Sequence, residues 1–401
     1  MRVSHGLLGN DNTGNFQYLE TYSMTSQFIF DGASNTLSKG IRPDAIPNLL
    51  ITWEKMRTTN AGLDFGFLNG KLEGSFDYFY RLRSDVLGTR IQSIPNVVGA
   101  TMPQVNYAKY DNRGVEFSLN YKENFGKVDV NLGGNISWNR EKTKYIDQNV
   151  FASQEAYRTG NSIGQWTDRF WGYMSDGFFQ SEEEIANWAN QDGKNNSTID
   201  VGDIKYIDYN GDGLISSTDR VLIGRGTFPR LNYGLNVDVA WKGLSFSMLW
   251  QGAGLYDFNL RNSPDLTLPF YAGNCPTTFW ANDAYVPENP WYPSNTTDYK
   301  WPRYRTDNGN RSHPNTAASD FWLISGSYLR LKTIELAYNL PQSVLKHVRL
   351  KGCKIYLSGY NIYTISEIDF LDPEANTSPG RTFADYYPPV GTYSGGFVIQ
   401  F

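Results

Sequence analysis

The sequence predicts an all-β chain, a transmembrane antiparallel β-barrel with long extracellular loops, and three observations carry that prediction. Segments of about ten residues alternate between apolar and polar side chains. They come in pairs joined by tight turns, whereas the other connections are long. Aromatic residues abound, with 27 Tyr, 23 Phe and 11 Trp in 401 residues, yet mean hydropathy is only −0.48. A barrel with a polar lumen and aromatic rims reconciles the last two facts. A secreted β-protein with sugar-stacking aromatics has the same composition.

Taken in order, the first hairpin puts Leu63, Phe65 and Phe67 in one phase, then Asn69-Gly70, then Leu72, Gly74, Phe76, Tyr78, Tyr80 and Leu82. Asn-Gly between alternating hydrophobics marks a hairpin because both residues tolerate positive φ. The second pairs Val115, Phe117, Leu119 and Tyr121 with Val128, Val130, Leu132, Ile136 and Trp138, turning near Asn124 to Gly126. The third runs from Leu231 to Trp241, turns at Lys242-Gly243 and returns through Leu244, Phe246, Met248 and Trp250. In the fourth, Leu329 and Leu331 are out of phase with Ile334, Leu336 and Tyr338, so a β-bulge is expected near Lys332-Thr333. Pro341 ends that strand, and Cys353, Ile355 and Leu357 lie on the return.

Strands of this length can cross a bilayer at a tilt, whereas strands of soluble domains are nearer five or six residues. The connections 147–230 and 252–327 are rich in Asn, Asp, Gly, Pro and Trp. Ser181-Glu182-Glu183-Glu184 within the first of them reads as a capping box opening a short helix. The chain ends on an alternating strand in which Phe397, Ile399 and the terminal Phe401 share a phase. A last strand with a terminal aromatic is what outer-membrane assembly machinery recognises, and these three residues are the expected signal.

Composition excludes several function classes. A net charge of −5 with no basic runs argues against a nucleic-acid partner. Two cysteines, Cys275 and Cys353, make no disulfide framework and no zinc pattern. The scattered His5, His313 and His347 disfavour a histidine-centred catalytic or metal site. Acidic residues are plentiful, but no spacing singles out the two carboxylates that glycoside hydrolysis needs. The segment Met1 to Gly6 leads into polar sequence rather than an apolar signal region, so Met1 is expected to be an internal methionine of a longer chain.

One loop fits a metal. Asp208, Asn210 and Asp212 occupy positions 1, 3 and 5 of a calcium-loop pattern, Gly213 position 6, the Leu214 carbonyl position 7 and Asp219 position 12. Calcium needs several hard oxygens on a tight turn, and this spacing wraps them around one centre. Asp at position 12 reaches less far than Glu, and the flanks are not two amphipathic helices. Structural calcium pinning an extracellular loop is the expectation, and an Asn/Asp/Gly-rich turn without metal is the alternative. Four loop aromatics, Trp166, Trp171, Trp188 and Trp291, are candidates for stacking on sugar, though loop packing or lid contact explains each as well.

An ordered set of short motifs resembles one family, the SusC/RagA-type TonB-dependent transporters. The set comprises Tyr18 to Tyr22, Asn48 to Glu54, Asn60 to Phe65, Phe76 to Arg81, Asn112 to Glu116, Gly202 to Tyr206, Ser327 to Lys332 and Asp372-Pro373-Glu374, ahead of the closing Phe401. The resemblance implies a 22-stranded barrel of which residues 1–401 are the C-terminal part, roughly 12 to 14 strands by hairpin counting. It implies an N-terminal plug and TonB box outside this chain, a SusD-like surface lipoprotein as a lid, and outer-membrane import of glycans or peptides in a Gram-negative cell, powered through TonB. No catalysis and no obligatory cofactor are expected. A passive porin shares the strand pattern and lacks only the motifs, and a secreted carbohydrate-binding or carbohydrate-active protein remains the soluble alternative.

Overall fold

The computed structural model of the protein describes residues 1–11, 14–29, 37–43, 46–90, 92, 101–262, 277–288, 291, 293–305, 313–374 and 387–401. Cys275 lies outside them. Eighteen strands are described: β1 (Arg2–Asn10), β2 (Tyr22–Ile29), β3 (Leu37–Pro43), β4 (Glu54–Phe67), β5 (Leu72–Thr89), β6 (Gln104–Phe125) and β7 (Val128–Tyr145). There follow β8 (Phe170–Gly172), β9 (Ser175–Phe178), β10 (Ile204–Tyr206), β11 (Val221–Gly224), β12 (Leu231–Trp241) and β13 (Leu244–Gly254). The last five are β14 (Asp257–Asn259), β15 (Leu323–Ser325), β16 (Tyr328–Asn339), β17 (Gly352–Ser366) and β18 (Thr392–Gln400).

Ten of these strands form one sheet, ordered β1-β4-β5-β6-β7-β12-β13-β16-β17-β18. The count falls below that expected from hairpins because β2 and β3 pair only with each other, and the short strands pair within the long connections. Two compact units divide the chain, one of Met1–Leu63, Asp77–Val115 and Asn139–Thr167, the other of Asp64–Phe76, Glu116–Trp138 and Asp168–Phe401.

In the first unit β1 lies antiparallel to β4, Arg2 opposite Gly62 and Asn10 opposite Glu54. Arg2 also reaches across to Asp77 at 3.0 Å. The same unit holds residues 77–89 of β5, 104–115 of β6 and 139–145 of β7 and the short helix α1 (Gln154–Gly160), whose N-cap Ser153 accepts from the Ala156 amide.

In the second unit the register is regular. Leu231 faces Trp138 on one side and Gly254 on the other, and Trp241 faces Val128 and Leu244. Lys242 and Gly243 turn the chain with φ of 48° and 89°, as the sequence predicts. The expected bulge falls at Lys332, which is skipped in the pairing of β16 with both β13 and β17. The Asn69-Gly70 turn differs in detail from a two-residue hairpin loop. Leu68, Asn69 and Gly70 all have positive φ, at 56°, 57° and 84°, so the loop is one residue longer and Leu68 takes a left-handed conformation that L-residues rarely adopt. Gly74 sits under the Phe65 ring, which also stacks on Phe117 with centroids 6.4 Å apart. An added Cβ there would meet that ring and, at 2.9 Å, the Ser118 carbonyl.

The apolar face of the strands is not a core. Leu235 is 47% exposed, Ile355 48% and Phe397 71%. The buried core lies in the long connections instead, where Ile204, Tyr206, Tyr256, Phe258, Trp280 and Trp322 cluster. Trp280 stacks on Trp301 and Trp322, centroids 5.1 and 5.7 Å away. A second cluster joins Phe179, Ile185 and Ile199 beside α2 (Glu182–Asn187). Ser181 caps α2, its hydroxyl accepting from the Glu184 amide at 3.1 Å, but the expected box does not close on Ser181, because the Glu184 carboxylate accepts from the Gln180 amide at 2.7 Å instead. No helix among the described residues is long and apolar enough to cross a membrane, which leaves strands free to do so.

Candidate functional site: the polar strand face and its loops

Each strand that exposes an apolar face presents the opposite face as a hydrogen-bonding surface. In the second unit Asn131 donates to Asp238 at 3.0 Å, and Ser75 and Ser118 share a 2.7 Å bond. Two concavities open on this face. One, of about 680 Å³, is lined by Lys71, Lys122, Asp129, Asn131, Asp238 and Ser247. The other, of about 690 Å³, is lined by Asn120, Gly133, Asn135 and Asn236. Amides, hydroxyls and the charged groups of Lys71, Lys122, Asp129 and Asp238 in these positions offer donors and acceptors to a hydrated solute.

The loops are built on two buried charge clusters that the sequence did not announce. Asp203 is fully buried and accepts from Arg305, from Asn315 Nδ2 at 2.7 Å and from the Asp200 amide at 2.8 Å. Arg305 also pairs with Asp200 at 2.9 Å. Gly202 next to it has φ of 89° and lies against the Tyr285 ring, a conformation and a contact that both favour glycine. In the second cluster Arg330, 3% exposed, pairs with Asp372 at 2.7 Å and Glu374 at 3.1 Å, and Lys332 pairs with Glu374 at 2.7 Å. Tyr256 donates to the Pro373 carbonyl at 2.8 Å. Two of the ordered motifs, Ser327 to Lys332 and Asp372-Pro373-Glu374, are thus the two halves of one ion cluster. Burial raises the hydroxyl pKa of Tyr206, and pushes that of Tyr304 up to about 12.

The Asp208–Asp219 loop is closed by its own amides. Asp208 accepts from Gly211 and Gly213, both at 2.7 Å, and Asp212 accepts from Leu214 at 2.8 Å. Asp219 is buried and accepts from Tyr209, Asn210 and Ser216. Gly211 and Gly213 have φ of 76° and 80°. Desolvation opposes ionisation of Asp208, but the Gly213 and Gly211 amides outweigh it and hold its carboxyl below the usual range. No group of three or more His, Cys, Asp or Glu side chains among the described residues converges on one point. Any cation would therefore need the Asn210 side chain and the Leu214 carbonyl as well, which is how the sequence pattern distributes its oxygens.

The predicted tryptophans have separate surroundings. Trp188 packs edge-on against Phe179 and donates from Nε1 to the Tyr206 carbonyl at 2.9 Å, the setting of a packing residue. Trp171 lies in β8 opposite Leu222, with Arg169 5.6 Å from its ring. Trp166 is flanked by Arg140, Arg113 and Lys142. Trp291 is 84% exposed. In β18, Phe397 stands opposite Ile355 and Ile399 opposite Cys353, and Phe401 is 83% exposed.

Long antiparallel strands, exposed on their apolar face and hydrogen-bonded on the other, define the class as a transmembrane β-barrel sheet. The solved structures agree. The RagAB peptide importer in its open-open state matches 100% of this chain and 40% of its own chain at a TM-score of 0.70 and 21% identity. The RagAB peptide transporter matches at 0.68 and 20% over the same shares. No family model matches the chain. In sequence it is 29% identical to TonB-dependent receptor P26 of Formosa agariphila over 94% of its own length and 36% of the relative's. It is 28% identical to TonB-dependent receptor SusC of Bacteroides thetaiotaomicron over 100% and 37%. Sequence and fold agree on one family: the chain is similar to the SusC/RagA-type TonB-dependent receptors, as its ordered motifs indicate. It spans less than two fifths of the length of these two curated relatives.

Proposed function

We propose that this chain is the barrel part of an outer-membrane importer that takes up nutrients, glycans or peptides, with energy delivered through TonB. The observation that carries this reading is the inversion of burial. The apolar strand face is exposed while the buried core sits in the loops, which suits a sheet whose apolar side meets lipid. A secreted carbohydrate-active protein would bury that face against a second layer. The relatives are named as receptors and the structural neighbours as a peptide importer or transporter. A transporter rather than an enzyme, in a Gram-negative outer membrane, is the reading that these names support.

The polar strand face and the loops would contact the solute, and a SusD-like surface lipoprotein would cover the mouth formed by the long connections. TonB would engage an N-terminal region outside these residues. Phe397, Ile399 and Phe401 would serve the assembly machinery, and calcium would sit in the Asp208–Asp219 loop as a structural ion. Uptake of labelled oligosaccharides and peptides by cells with and without the protein tests the activity. Uptake that requires the protein and stops when the proton gradient is collapsed supports it. Uptake indifferent to the gradient makes the protein a porin. Calcium titration of the purified protein, followed by protease protection of residues 208–219, tests the ion. Protection lost in Asp212→Ala is expected, and equal cleavage with and without calcium removes it.

A further inference from the structure

We propose that the rim of the sheet at the Lys242-Gly243 turn and the 340–351 connection is a docking site for the headgroup of an anionic membrane phospholipid. The inference rests on the membrane placement above and names a partner for it.

Strand register sets the height, and every residue that sets it lies in the second unit. Trp241 faces Leu244, Leu244 faces Tyr338, Tyr338 faces Ile355 and Ile355 faces Phe397. They form one row across β12, β13, β16, β17 and β18 on the apolar face, and even Leu244, the least exposed of them, is 38% exposed. The chain turns just beyond this row, at Lys242-Gly243 after Trp241 and past Asn339 at the end of β16. β12 and β13 are each 11 residues long, and a tilted strand crosses the hydrocarbon layer in roughly ten. The layer therefore ends at this row, where Trp241 and Tyr338 are the aromatics that prefer a membrane–water boundary.

Beyond the row the surface turns basic. The Lys242 ammonium lies 5.2 Å from the Trp241 ring. The Asn339 amide donates to the Gly243 carbonyl at 2.8 Å, which fastens this turn to the start of the next connection. That connection leaves the sheet after Tyr338 and rejoins it before Ile355. It folds as a helical turn, Gln342–Leu345, followed by a tighter one, Lys346–Val348. Leu345 is buried, and its carbonyl accepts from the Leu350 amide at 3.1 Å. Arg349, with φ of 55°, ends the fold in a left-handed conformation. Lys346 and Arg349 are thereby held at the surface, with Lys351 two residues on, its amide donating to the Gln400 carbonyl at 2.8 Å. On the other flank Lys127 precedes Val128, which faces Trp241.

Lys127, Lys242, Lys346, Arg349 and Lys351 are all exposed, and none forms an ion pair among the described residues. Residues 340–353 contain no acid. The acids nearby are engaged elsewhere. Glu123 pairs with Lys71 at 2.8 Å and Glu335 with Lys354 at 2.7 Å, whereas Asp129 belongs to the polar face and accepts from Asn124 at 2.6 Å. Even set against the carboxylate of Phe401, the rim keeps a positive surplus. Cations at the edge of an exposed apolar row complement an anionic headgroup whose acyl chains run along that row. A soluble phosphate would gain nothing from the row, and an acidic protein docked on the turns would not need it.

The test uses the full protein in maltoside micelles doped with phosphatidylglycerol or phosphatidylcholine of equal chain length, with retained lipid counted by native mass spectrometry. Preferential retention of phosphatidylglycerol by the wild type is expected. In Lys346→Gln/Arg349→Gln that retention should weaken about thirty-fold, which is about 2 kcal/mol at 1.36 kcal/mol per factor of ten, half of it from each cation lost near an anionic surface. Phosphatidylcholine retention, which reports an intact apolar face, should not change. Lys346→Arg/Arg349→Lys keeps the charge and should keep the preference. Lys194→Gln/Lys300→Gln removes the same charge from the long connections and should leave retention as it is. Equal retention of the two lipids by the wild type overturns the proposal. So does unchanged retention in Lys346→Gln/Arg349→Gln, equal weakening in Lys194→Gln/Lys300→Gln, or displacement of the lipid by inorganic phosphate at equal concentration. Tighter binding of polyglutamate than of phosphatidylglycerol would assign the rim to an acidic protein instead. Retention of neither lipid overturns the membrane placement together with the proposal.

Discussion

Removing Asp372 should uncouple the segment 368–374 from the strands beneath it. Arg330 is 3% exposed and Asp372 8%, and their ion pair is 2.7 Å long. Asp372→Ala leaves a buried guanidinium with Glu374 at 3.1 Å as its remaining carboxylate in the cluster. Breaking a buried pair from one side costs about 3–5 kcal/mol, and Glu374 offsets part of that, so about 2–3 kcal/mol is the working figure. At 1.36 kcal/mol per factor of ten, amide exchange across the segment should speed up by roughly 30- to 160-fold. The assay is hydrogen exchange on the full chain in detergent, read at the Glu374 amide, which donates to Asp372 Oδ1 at 2.8 Å, and at Ile368. Lys205, tied to Glu184 at 2.7 Å in another loop, supplies a distant reference. A double-mutant cycle with Arg330→Met separates pair energy from loss of packing. Exchange unchanged within twofold, or acceleration equal across all loops, would refute the reasoning.

Two further outcomes follow from local geometry. Gly74→Val should lower the thermal midpoint of the protein in detergent by overpacking worth about 1–3 kcal/mol, because its Cβ would meet both the Phe65 ring and a backbone oxygen; Phe65→Ala should recover part of that loss, and no recovery would contradict the assignment. Asp192 accepts from the amides of Thr198, Lys194 and Asn196, and although desolvation works against it, these bonds lower its pKa from 3.8. Its contribution is therefore present above the unfolded pKa and lost as pH falls through the folded one, so protease protection of residues 192–198 should fade below about pH 4, and Asp192→Asn should flatten that dependence.

How far the sequence could be read depended on range. Alternation is a local property, so the strands around Leu72, Val128, Leu231 and Tyr393, the turn at Lys242-Gly243 and the bulge at Lys332 were all legible. The capping of α2 by Ser181 was legible for the same reason. Strand length was not, because β6 runs on for 22 residues through Arg113 and Asp111, where charge breaks the apolar pattern. The loop core was hidden, since Trp280, Trp301 and Trp322 meet only through tertiary folding. So were the ion clusters. Asp203 and Arg305 are 102 residues apart, and nothing local to either marks the pairing. The cations around Trp166 form no run in sequence, because Arg140 and Lys142 alternate along β7 and Arg113 lies on β6. The motifs Ser327 to Lys332 and Asp372 to Glu374 were visible as a resemblance, but their shared role as one cluster was not.

The central claim is that the exposed apolar strand face meets lipid, and depth-resolved labelling tests it most directly. Single cysteines at Leu235, Asn236, Val237, Asp238 and Val239, in a background lacking Cys275 and Cys353, would carry a fluorophore in outer membranes of cells producing the protein. Brominated lipid would serve as the quencher. The account predicts quenching with a period of two, strong at 235, 237 and 239 and weak at 236 and 238. Quenching without that period, or strongest at 236 and 238, would contradict it.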